Sequence, residues 1–517
     1  MVPSREPVSR YPMGPADQNQ VRRAGALPVV HVPRASTRIS GDTRRNAEIH
    51  CDAMQEVGDG HSSVDGKDNI TLPESRAISL EALHLDERPD RMPMAPPDPV
   101  RGRIWVRTFQ RKLYRAAKKN SKRRFGVLYD KVQRRDVISE AWGCVMVNEG
   151  CAGVDGWSIK RLLDADGVRR LLVEIQDELE SNKYQPELIR RAYIPKPGRR
   201  EMRPLGIPTV KDRIVQAAVK SIIEPLFEAD FLDCSYGFRP KRSAQDAASR
   251  VHKLINTHKW FVDVDLKSYF DTIPHDRLMT CVQKRVSDKR VLRLIRQWLK
   301  AGVLEKGKVT TPKAGSPQGG VISPLLSNIY LHELDRQWDS RLGQLTRYAD
   351  DMVIVCRTEE QAKAAMRRLT EIVQSLGLRL NESKTHVGHI QEGFDFVGFT
   401  FREGKSPKSG KLVRVRVPRK QSVKAIRHRI KERLKMVGLG TPLVDVIRMV
   451  NRSLKGWVNY FKRGQCMHVL IGLQSYVCEQ LRIFLRRRHG CKRSRGYRRW
   501  TNGFLYRKGL VYAPRLI

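Results

Sequence analysis

Two short apolar runs of the sequence carry acidic side chains at their ends. They are WFVDVDLKSYFD, which contains Asp263 and Asp265, and RYADDMVIVCR, which contains Asp350 and Asp351, and they lie about 85 residues apart. Successive side chains of a strand point to opposite faces, so the first two aspartates share one face of their run. The adjacent pair fits a tight turn between strands, where polar residues are also the ordinary expectation. The chain is therefore expected to fold around a sheet with acidic strand ends.

Two acidic strand ends in one sheet suit a site for two Mg²⁺ ions. Hard divalent cations prefer carboxylate oxygen as a ligand. Two such ions roughly 3.5–4 Å apart can activate an attacking hydroxyl and stabilise a leaving pyrophosphate. The pattern therefore predicts metal-dependent phosphoryl transfer, and the residues by themselves leave both a nuclease and a polymerase open.

The charge of the chain indicates a polyanionic partner. Lys and Arg number 98 against 55 Asp and Glu, and a net charge of +43 repels itself unless a polyanion neutralises it. The surplus is concentrated in residues 401–517, which hold 31 basic and 4 acidic side chains. An ordinary solvated basic face would contain more interspersed acids. Nucleic acid is therefore the expected partner.

Cysteine and histidine usage favours neither a disulfide framework nor a zinc site. The nine cysteines include no C-x-x-C pair, and His386 and His389 are interpreted as loop residues because no cysteine or carboxylate cluster accompanies them. The sequence also contains no signal-peptide core and no run of about 18 apolar residues. We therefore expect a soluble cytoplasmic protein with no membrane partner, associated with the nucleoid as a ribonucleoprotein if it is bacterial.

Periodicity divides the chain into parts of different structure. Residues 1–95 mix Pro, Ser, Asp and Arg without periodicity, which predicts a disordered leader. A basic helix is expected from Trp105, and between about 126 and 400 helical runs alternate with strand-like runs, as in mixed α/β proteins. One helix can be bounded closely, because Thr358 and Gln361 form a predicted capping box and Gly377 can end the helix.

Beyond about residue 418 the pattern is almost wholly helical. Thr441 and Pro442 supply start signals, and apolar residues then recur every three or four positions. Arg448, Arg452 and Lys455 fall outside that apolar stripe, so they are expected on the solvent face. Basic side chains in this arrangement can hold phosphates, and we predict that they bind RNA.

A series of motifs runs from about Val127 to Tyr512. In chain order they are NEGCAGVDG, IPKPGRREMRPLGIPTVKDRIVQ, SYGFRPKRSAQDA, VDVDLKSYFDTIPHD, GSPQGGVISPLLSNIYLHELD, RYADDMVIVCRT, LGLRLNESKT and FDFVGF. In content and order the series resembles group II intron-encoded reverse transcriptases, also called maturases. The resemblance implies an α/β right-hand polymerase with fingers and palm, followed by an α-helical thumb/maturase domain and a basic C-terminal segment.

The resemblance also implies domain boundaries. It places an N-terminal extension and fingers at residues 96–240, a palm with the catalytic carboxylates at 241–400, and the helical thumb/maturase domain X at 401–485. Residues 486–517 are then a basic nucleic-acid-binding tail. We expect no endonuclease domain, because Cys478 and Cys491 are the only cysteines near the end and are not spaced as a pair.

The resemblance assigns roles to individual residues. Asp265, Asp350 and Asp351 match the catalytic triad that binds two Mg²⁺ ions, whereas Asp263 is interpreted as a structural or supporting carboxylate. The remaining positions match nucleotide-binding residues. They are Lys196 and Arg203 at the triphosphate, Phe270 as a wall against the 2′-hydroxyl, Gln318 beside the sugar and Lys384 as a proton donor to pyrophosphate.

Less specific interpretations of these residues stay open. Phe270 also fits an ordinary core aromatic at a strand end, and Gln318 fits a loop that leads into a helix at Ser323 and Pro324. Lys196 and Arg203 lie among many other basic residues, so their assignment depends on the match to the family.

The implied function is an RNA-directed DNA polymerase that copies RNA into cDNA and assists splicing and mobility of its group II intron. Its expected partners are the intron RNA, a DNA target and primer, and dNTP substrates, and a homodimer is left open. One alternative is a stand-alone bacterial reverse transcriptase of a defence or diversity-generating element. Another is a non-catalytic RNA-splicing cofactor, which the three aspartates, Phe270 and Gln318 argue against.

Overall fold

The structure is a computed structural model that describes residues 99–164, 167–195, 202–406 and 409–517. The leader predicted for residues 1–95 lies outside the described residues, and so does Lys196. All described residues belong to one compact unit.

The described chain begins with helices and becomes mixed α/β from residue 189. Its elements up to residue 310 are α1 (Pro99–Lys119), α2 (Tyr129–Val132), α3 (Arg135–Val147), α4 (Ile159–Asp164), α5 (Gly167–Glu180), β1 (Ile189–Pro195), β2 (Met202–Ile207), α6 (Val210–Glu228), α7 (Ala244–Leu254), β3 (Trp260–Val264), α8 (Tyr269–Thr272), α9 (His275–Gln283), α10 (Lys289–Lys300), β4 (Val303–Glu305) and β5 (Lys308–Thr310). The basic helix predicted from Trp105 is confirmed as part of α1.

The second half carries the other acidic strand end and the helical C-terminal part. Its elements are α11 (Ser323–Gln337), a 3-10 helix (Ser340–Leu342), β6 (Gln344–Tyr348), β7 (Asp351–Cys356), α12 (Glu359–Ser375), β8 (His386–His389), β9 (Phe394–Phe396), β10 (Phe399–Lys405), β11 (Leu412–Pro418), α13 (Lys420–Met436), α14 (Leu443–Phe461), α15 (Met467–His489), α16 (Arg493–Arg499), α17 (Asn502–Arg507) and a 3-10 helix (Ala513–Leu516). The mixed α/β architecture and the helical C-terminal part agree with the sequence prediction.

The central sheet has the strand order β6-β7-β3-β8, and its neighbouring strands are antiparallel. Two separate hydrophobic cores cover its two faces. Val262 and Val264 of β3 belong to the first core, whereas Phe261 belongs to the second. Side chains alternate between the two faces of β3, and each face packs on a different set of helices. The central sheet therefore separates the two hydrophobic cores.

A second sheet has the order β2-β1-β4-β5. Its β1–β2 hairpin pairs Ile194 with Arg203, and the tip of the hairpin, residues 196–201, lies outside the described residues. A third sheet, β11-β10-β9, joins the central sheet to the helical C-terminal part. The residues of its β9–β10 turn are Val397 and Gly398, both of which have positive φ.

The helix predicted after Thr358 is confirmed as α12, with one difference in its cap. The Thr358 side chain accepts the Gln361 backbone N–H, but the Gln361 side chain accepts the N–H of Arg357 and not that of Thr358. The second hydrogen bond of the predicted capping box is therefore made to the backbone of Arg357, the residue before Thr358. Gly377, with φ +70°, follows the helix as predicted, since a left-handed residue there favours glycine.

The helical C-terminal part buries the apolar stripe predicted for α14. Val446, Ile447, Leu454 and Val458 are among the buried members of the second core. The helix begins after Pro442, and no side chain caps it. The expected solvent face is confirmed, because Arg448, Arg452 and Lys455 are exposed.

Residues 486–517 do not form an extended tail. Helix α15 runs across the predicted boundary between residues 485 and 486, and the chain after it packs back onto the helical part. Trp500, Leu505 and Ala513 are buried in the second core. This basic segment therefore belongs structurally to the helical part.

Two further expectations have different outcomes. His386 and His389 lie on β8 and pair with β3, so the prediction that they are loop residues is wrong. Their rings pack on Phe261 and Trp260, respectively, which explains their place in the sheet without a metal. Among the described residues, no helix combines the length and the apolar character needed to span a bilayer.

Candidate active site

The hairpin of β6 and β7 places the aspartate pair at its tip. Tyr348 pairs with Asp351, so Ala349 and Asp350 form the connecting turn. Ala349 has φ +58°, a left-handed conformation that a residue with a side chain rarely adopts. The turn is therefore held by its surroundings, and its backbone decides where the Asp350 carboxylate lies.

Strand register brings Asp265 next to this hairpin. The last pair between β3 and β7 joins Val264 to Met352, so Asp265 and Asp351 are the next opposed positions. Opposed residues of antiparallel strands have Cα atoms roughly 4.5–5.5 Å apart. Since Asp263 and Asp265 share a strand face, the structure brings the acidic ends of both runs to one edge of the central sheet.

Asp265 is held by the turn that follows α12. Its Oδ2 atom accepts hydrogen bonds from Asn381 Nδ2 at 2.8 Å and from Lys384 Nζ at 2.7 Å. Its backbone carbonyl accepts the Asn381 N–H, and its own N–H donates to Thr385 Oγ1. Lys384 therefore lies against the predicted catalytic carboxylate. Asn381 is a residue that sequence reasoning missed, although it lies in the LNESKT motif.

Burial and neighbouring carboxylates raise the pKa of Asp350 and of Asp351. Burial raises the pKa of Asp350, and the charge of Asp265 adds to this effect, while the charges of Arg203 and Arg347 oppose it. The Asp351 side chain touches solvent, but the surrounding protein desolvates it, and with Asp263 and Asp350 nearby its pKa is raised to about 7. Like charges at short range disfavour ionisation of neighbouring carboxylates at the same time, so a bound cation would reduce the repulsion between them.

The donor set fits a hard divalent ion, although the carboxylates are not gathered around a single point. In the described part of the chain, no three His, Cys, Asp or Glu side chains converge closely enough to hold a metal. Asp265 is turned toward Lys384 and Asn381, while Asp351 lies 3.4 Å from the Val397 N–H that donates to it. The three aspartates nevertheless offer only carboxylate oxygens, which are the ligands that Mg²⁺ prefers.

A buried guanidinium supports the Ala349–Asp350 turn. Arg347 and Asp335 are both fully buried, and Arg347 Nε lies 2.8 Å from Asp335 Oδ1. Arg347 Nη1 also donates to Ala349 O and to Asn328 Oδ1, both at 3.0 Å. This network was not predicted from the sequence. The available signal was a charged residue, Arg347, two positions before the acidic turn in the mixed polar and apolar strand QLTRY.

Gly237 packs against the other side of the same turn. A Cβ atom at this position would overlap the backbone of Tyr348 and Ala349. The Gly237 carbonyl accepts a 2.7 Å hydrogen bond from Asn328 Nδ2, so it is tied to the network below the turn. The SYGF segment and the acidic hairpin are therefore in direct backbone contact.

The predicted nucleotide-binding residues occupy the neighbouring surface. Phe270 is partly buried in α8, and its carbonyl accepts the Ser316 N–H at 2.7 Å. The Gln318 carbonyl accepts the Gly206 N–H at 2.6 Å, which fastens the SPQGG loop to β2. Arg203 of β2 is exposed and lies near enough to Asp350 to lower its pKa. Backbone hydrogen bonds therefore tie the SPQGG loop to the segments that carry Phe270 and Arg203, and Arg203 lies near Asp350.

The predicted RNA-binding residues lie elsewhere. Arg448, Arg452 and Lys455 are spaced four and three positions apart along α14, so they share one exposed helix face. Arg448 Nη1 is 2.6 Å from Asp445 Oδ1 in an exposed pair, which contributes little to stability. These cations form a surface separate from the acidic edge.

Comparison with known proteins identifies two family models in this chain. The model described as reverse transcriptase (RNA-dependent DNA polymerase) matches residues 194–401. The model described as group II intron, maturase-specific domain matches residues 423–501. The first interval contains all the predicted catalytic residues, and the second contains the basic face of α14.

Similar proteins include examples from Escherichia coli, Lactococcus lactis and Saccharomyces cerevisiae. Protein YkfC of Escherichia coli (strain K12) is 38% identical over 339 residues, which cover 57% of this chain and 87% of that protein. The group II intron-encoded protein LtrA of Lactococcus lactis subsp. cremoris is 40% identical over 215 residues, covering 41% of this chain and 35% of LtrA. The putative COX1/OXI3 intron 1 protein of Saccharomyces cerevisiae is 30% identical over 276 residues, with 43% and 33% covered. The matches therefore span about a third of the length of these two intron proteins.

The contact at Gly237 gives a testable prediction. Gly237→Ala should displace the Ala349–Asp350 turn, and a displacement of about 1 Å can lower the rate of a positioned reaction about 100-fold. Nucleotide incorporation at saturating substrate measures the effect. Gly143→Ala is the matched control, because this α3 position has no atom within 4 Å of an added Cβ. The control should keep full activity and raise the free energy of unfolding by about 0.5–1 kcal/mol. Equal activity in both variants would contradict the proposed role of the contact.

Proposed function

This chain belongs to the group II intron-encoded reverse transcriptases and maturases, and we propose that it copies RNA into DNA and assists splicing of its intron RNA. The observation that carries the polymerase proposal is the register that sets Asp265 opposite Asp351 beside the Asp350 turn. The matched maturase-specific domain favours the intron role over that of a stand-alone reverse transcriptase. The family relation supports both activities.

In this proposal Asp265, Asp350 and Asp351 hold two Mg²⁺ ions. The ions, when bound, supply charge that activates the primer hydroxyl and stabilises the leaving pyrophosphate. The three carboxylates lie at the ends of β3 and β7, and Asp265 would have to turn from Lys384 and Asn381 to join the other two at the ions. The RNA template, DNA primer and dNTPs are the proposed substrates, and residues 96–240, 241–400 and 401–485 are the proposed fingers, palm and thumb/maturase domain.

The neighbouring residues would position the nucleotide. Arg203, together with Lys196, binds the triphosphate, because fixed cations there stabilise charge that develops on the leaving group. Phe270 limits the room at the sugar, and Gln318 lies beside it. Lys384 donates a proton to the pyrophosphate, which requires that it first leave the Asp265 carboxylate that it contacts.

We propose that RNA binding depends on the basic helical part. Folding an intron brings phosphates together, and fixed Lys and Arg lower that repulsion by releasing condensed counterions. Arg448, Arg452 and Lys455 are exposed on one face of α14 and distant in sequence from the three aspartates. Splicing assistance and polymerisation would therefore use different side chains.

Removing one carboxylate tests the polymerase. Asp350→Asn should abolish extension of a DNA primer on an RNA template with dNTPs and Mg²⁺, because an amide is a poor ligand for this ion. The same protein should still bind intron RNA and promote its splicing at low Mg²⁺. Asp339→Asn, an exposed aspartate outside the site, is the control and should extend normally. Undiminished extension by the Asp350 variant would refute the assignment.

Sugar selection provides a second test. Phe270→Ala should increase incorporation of rNTPs relative to dNTPs, roughly tenfold or more, since removal of the ring opens space for the 2′-hydroxyl. The ratio is measured by single-nucleotide extension with each substrate. Phe504→Ala removes another partly buried aromatic, in the helical part, and should leave the ratio unchanged. An unchanged ratio in the Phe270 variant would mean that this residue is an ordinary core aromatic and does not select the sugar.

Neutralising the basic face tests the division of labour. Changing Arg448, Arg452 and Lys455 together to Gln should impair splicing more than primer extension on a simple template. The slope of log affinity against log salt should fall by roughly two to three, since each phosphate contact contributes about 0.7–0.9. Changing Lys363, Arg367 and Arg368 of α12 to Gln is a charge-matched control. Equal splicing by both triple variants would exclude α14 as the RNA surface.

A further inference from the structure

Phe238, in the SYGF segment, has a backbone conformation that is unfavourable for its side chain. Its φ is +55°, in the left-handed region, where a bulky residue is a genuine outlier. Its side chain is 40% exposed, so burial of the ring does not compensate for the strain. Strained residues that expose a large side chain concentrate at functional sites. The proposed metal and nucleotide ligands do not include this residue.

The residues on either side of Phe238 are fixed. Gly237 packs on the Tyr348–Ala349 backbone, and its carbonyl accepts the Asn328 side-chain N–H. The buried Arg239 pairs with both carboxylate oxygens of Glu228, at 3.0 and 2.8 Å. Arg239 Nη1 also donates to the carbonyls of Leu232 and Ser235. Two anchored neighbours leave the intervening ring directed outward.

The exposed ring lies beside the acidic hairpin. The Phe238 and Tyr348 ring centroids are 6.4 Å apart, with 38° between the planes. Tyr348 pairs with Asp351 and immediately precedes the Ala349–Asp350 turn. Two aromatic rings therefore adjoin the site where the primer hydroxyl must react. Lys241, three residues after Phe238, is also exposed and adds a cation for phosphate.

We propose that Phe238, with Tyr348, forms an aromatic contact for the template–primer duplex at the base pairs next to the catalytic turn. The inference rests on the proposed polymerase function. In a duplex the base faces are stacked on one another, but sugars and base edges still expose C–H groups. An aromatic ring can pack on these groups without regard to sequence, as a polymerase requires. The strained backbone keeps the ring in place before the duplex binds, so less ordering is needed on binding. Phe238 is thus a positioning residue for the duplex, distinct from the metal and nucleotide ligands.

The experiment uses variants that separate the ring from the backbone strain. Phe238→Asn removes the ring but keeps a residue that tolerates the left-handed region. We expect its dissociation constant for an RNA–DNA template–primer, measured by fluorescence anisotropy without dNTPs, to rise roughly tenfold. Its melting temperature should stay the same or rise. Phe238→Tyr should retain wild-type affinity because it retains the ring.

A matched control uses an exposed apolar residue of the same segment. Leu232 is 41% exposed and has no positive φ, so Leu232→Asn should change neither affinity nor melting temperature. Duplexes with an abasic nucleotide at the terminal pairs, placed in either strand, then locate the contact. The strand whose abasic form removes the difference between wild type and Phe238→Asn is the one that the ring contacts.

The outcomes separate this inference from the proposed function. If wild type extends primers and Phe238→Asn binds duplex equally well, the aromatic contact is wrong and the polymerase proposal stands. If affinity falls only together with melting temperature, Phe238 has a structural role and the inference is again wrong. If wild type neither binds nor extends the duplex, the proposed function fails and the inference fails with it.

Discussion

The candidate active site depends on a charge that the protein buries completely. Arg347 and Asp335 have no exposed side-chain surface, and isolated charges in such a place would be strongly destabilising. The guanidinium is satisfied by Asp335, by Asn328 and by the carbonyl of Ala349. Removing one partner of a buried pair typically costs about 3–5 kcal/mol, because the other charge is left unpaired. The network therefore joins α11 to the hairpin turn and fixes the backbone that carries Asp350.

Electrostatics at the acidic edge oppose those of the rest of the protein. The chain carries a net charge of +43, yet burial, with a smaller effect of neighbouring carboxylates, raises the pKa of Asp350 and Asp351. Lys384 supplies a cation to Asp265, and the charges of the exposed Arg203 and the buried Arg347 oppose the rise in the pKa of Asp350. Basic surroundings attract a polyanion, while the acidic edge is the proposed place for metal cations.

The helical part is physically continuous with the central sheet. Phe261 and Val353, on one face of the sheet, share a hydrophobic core with Phe394 and with Trp457 of α14. Tyr460 also donates a 2.8 Å hydrogen bond to Val397 O in the β9–β10 turn, whose Val397 N–H donates to Asp351. The proposed RNA-binding helix and the proposed metal site are therefore two surfaces of one packed unit, even though they use different side chains.

The sequence by itself determined the elements with local signals. The apolar stripe of α14 and the glycine after α12 follow from helical periodicity and backbone preference, and the acidic strand ends follow from alternation of side chains. The family resemblance selected Asp265, Asp350 and Asp351, and register then placed Asp265 opposite Asp351. Only the tertiary structure decided how the Ala349–Asp350 turn and Asp265 are held, because their supports come from distant parts of the chain. Gly237 and Asn328, which support the turn, are 91 residues apart, and Asn381 is 116 residues from the Asp265 that it contacts. Such contacts leave no periodic trace in a sequence, since they depend on which distant segments fold against one another.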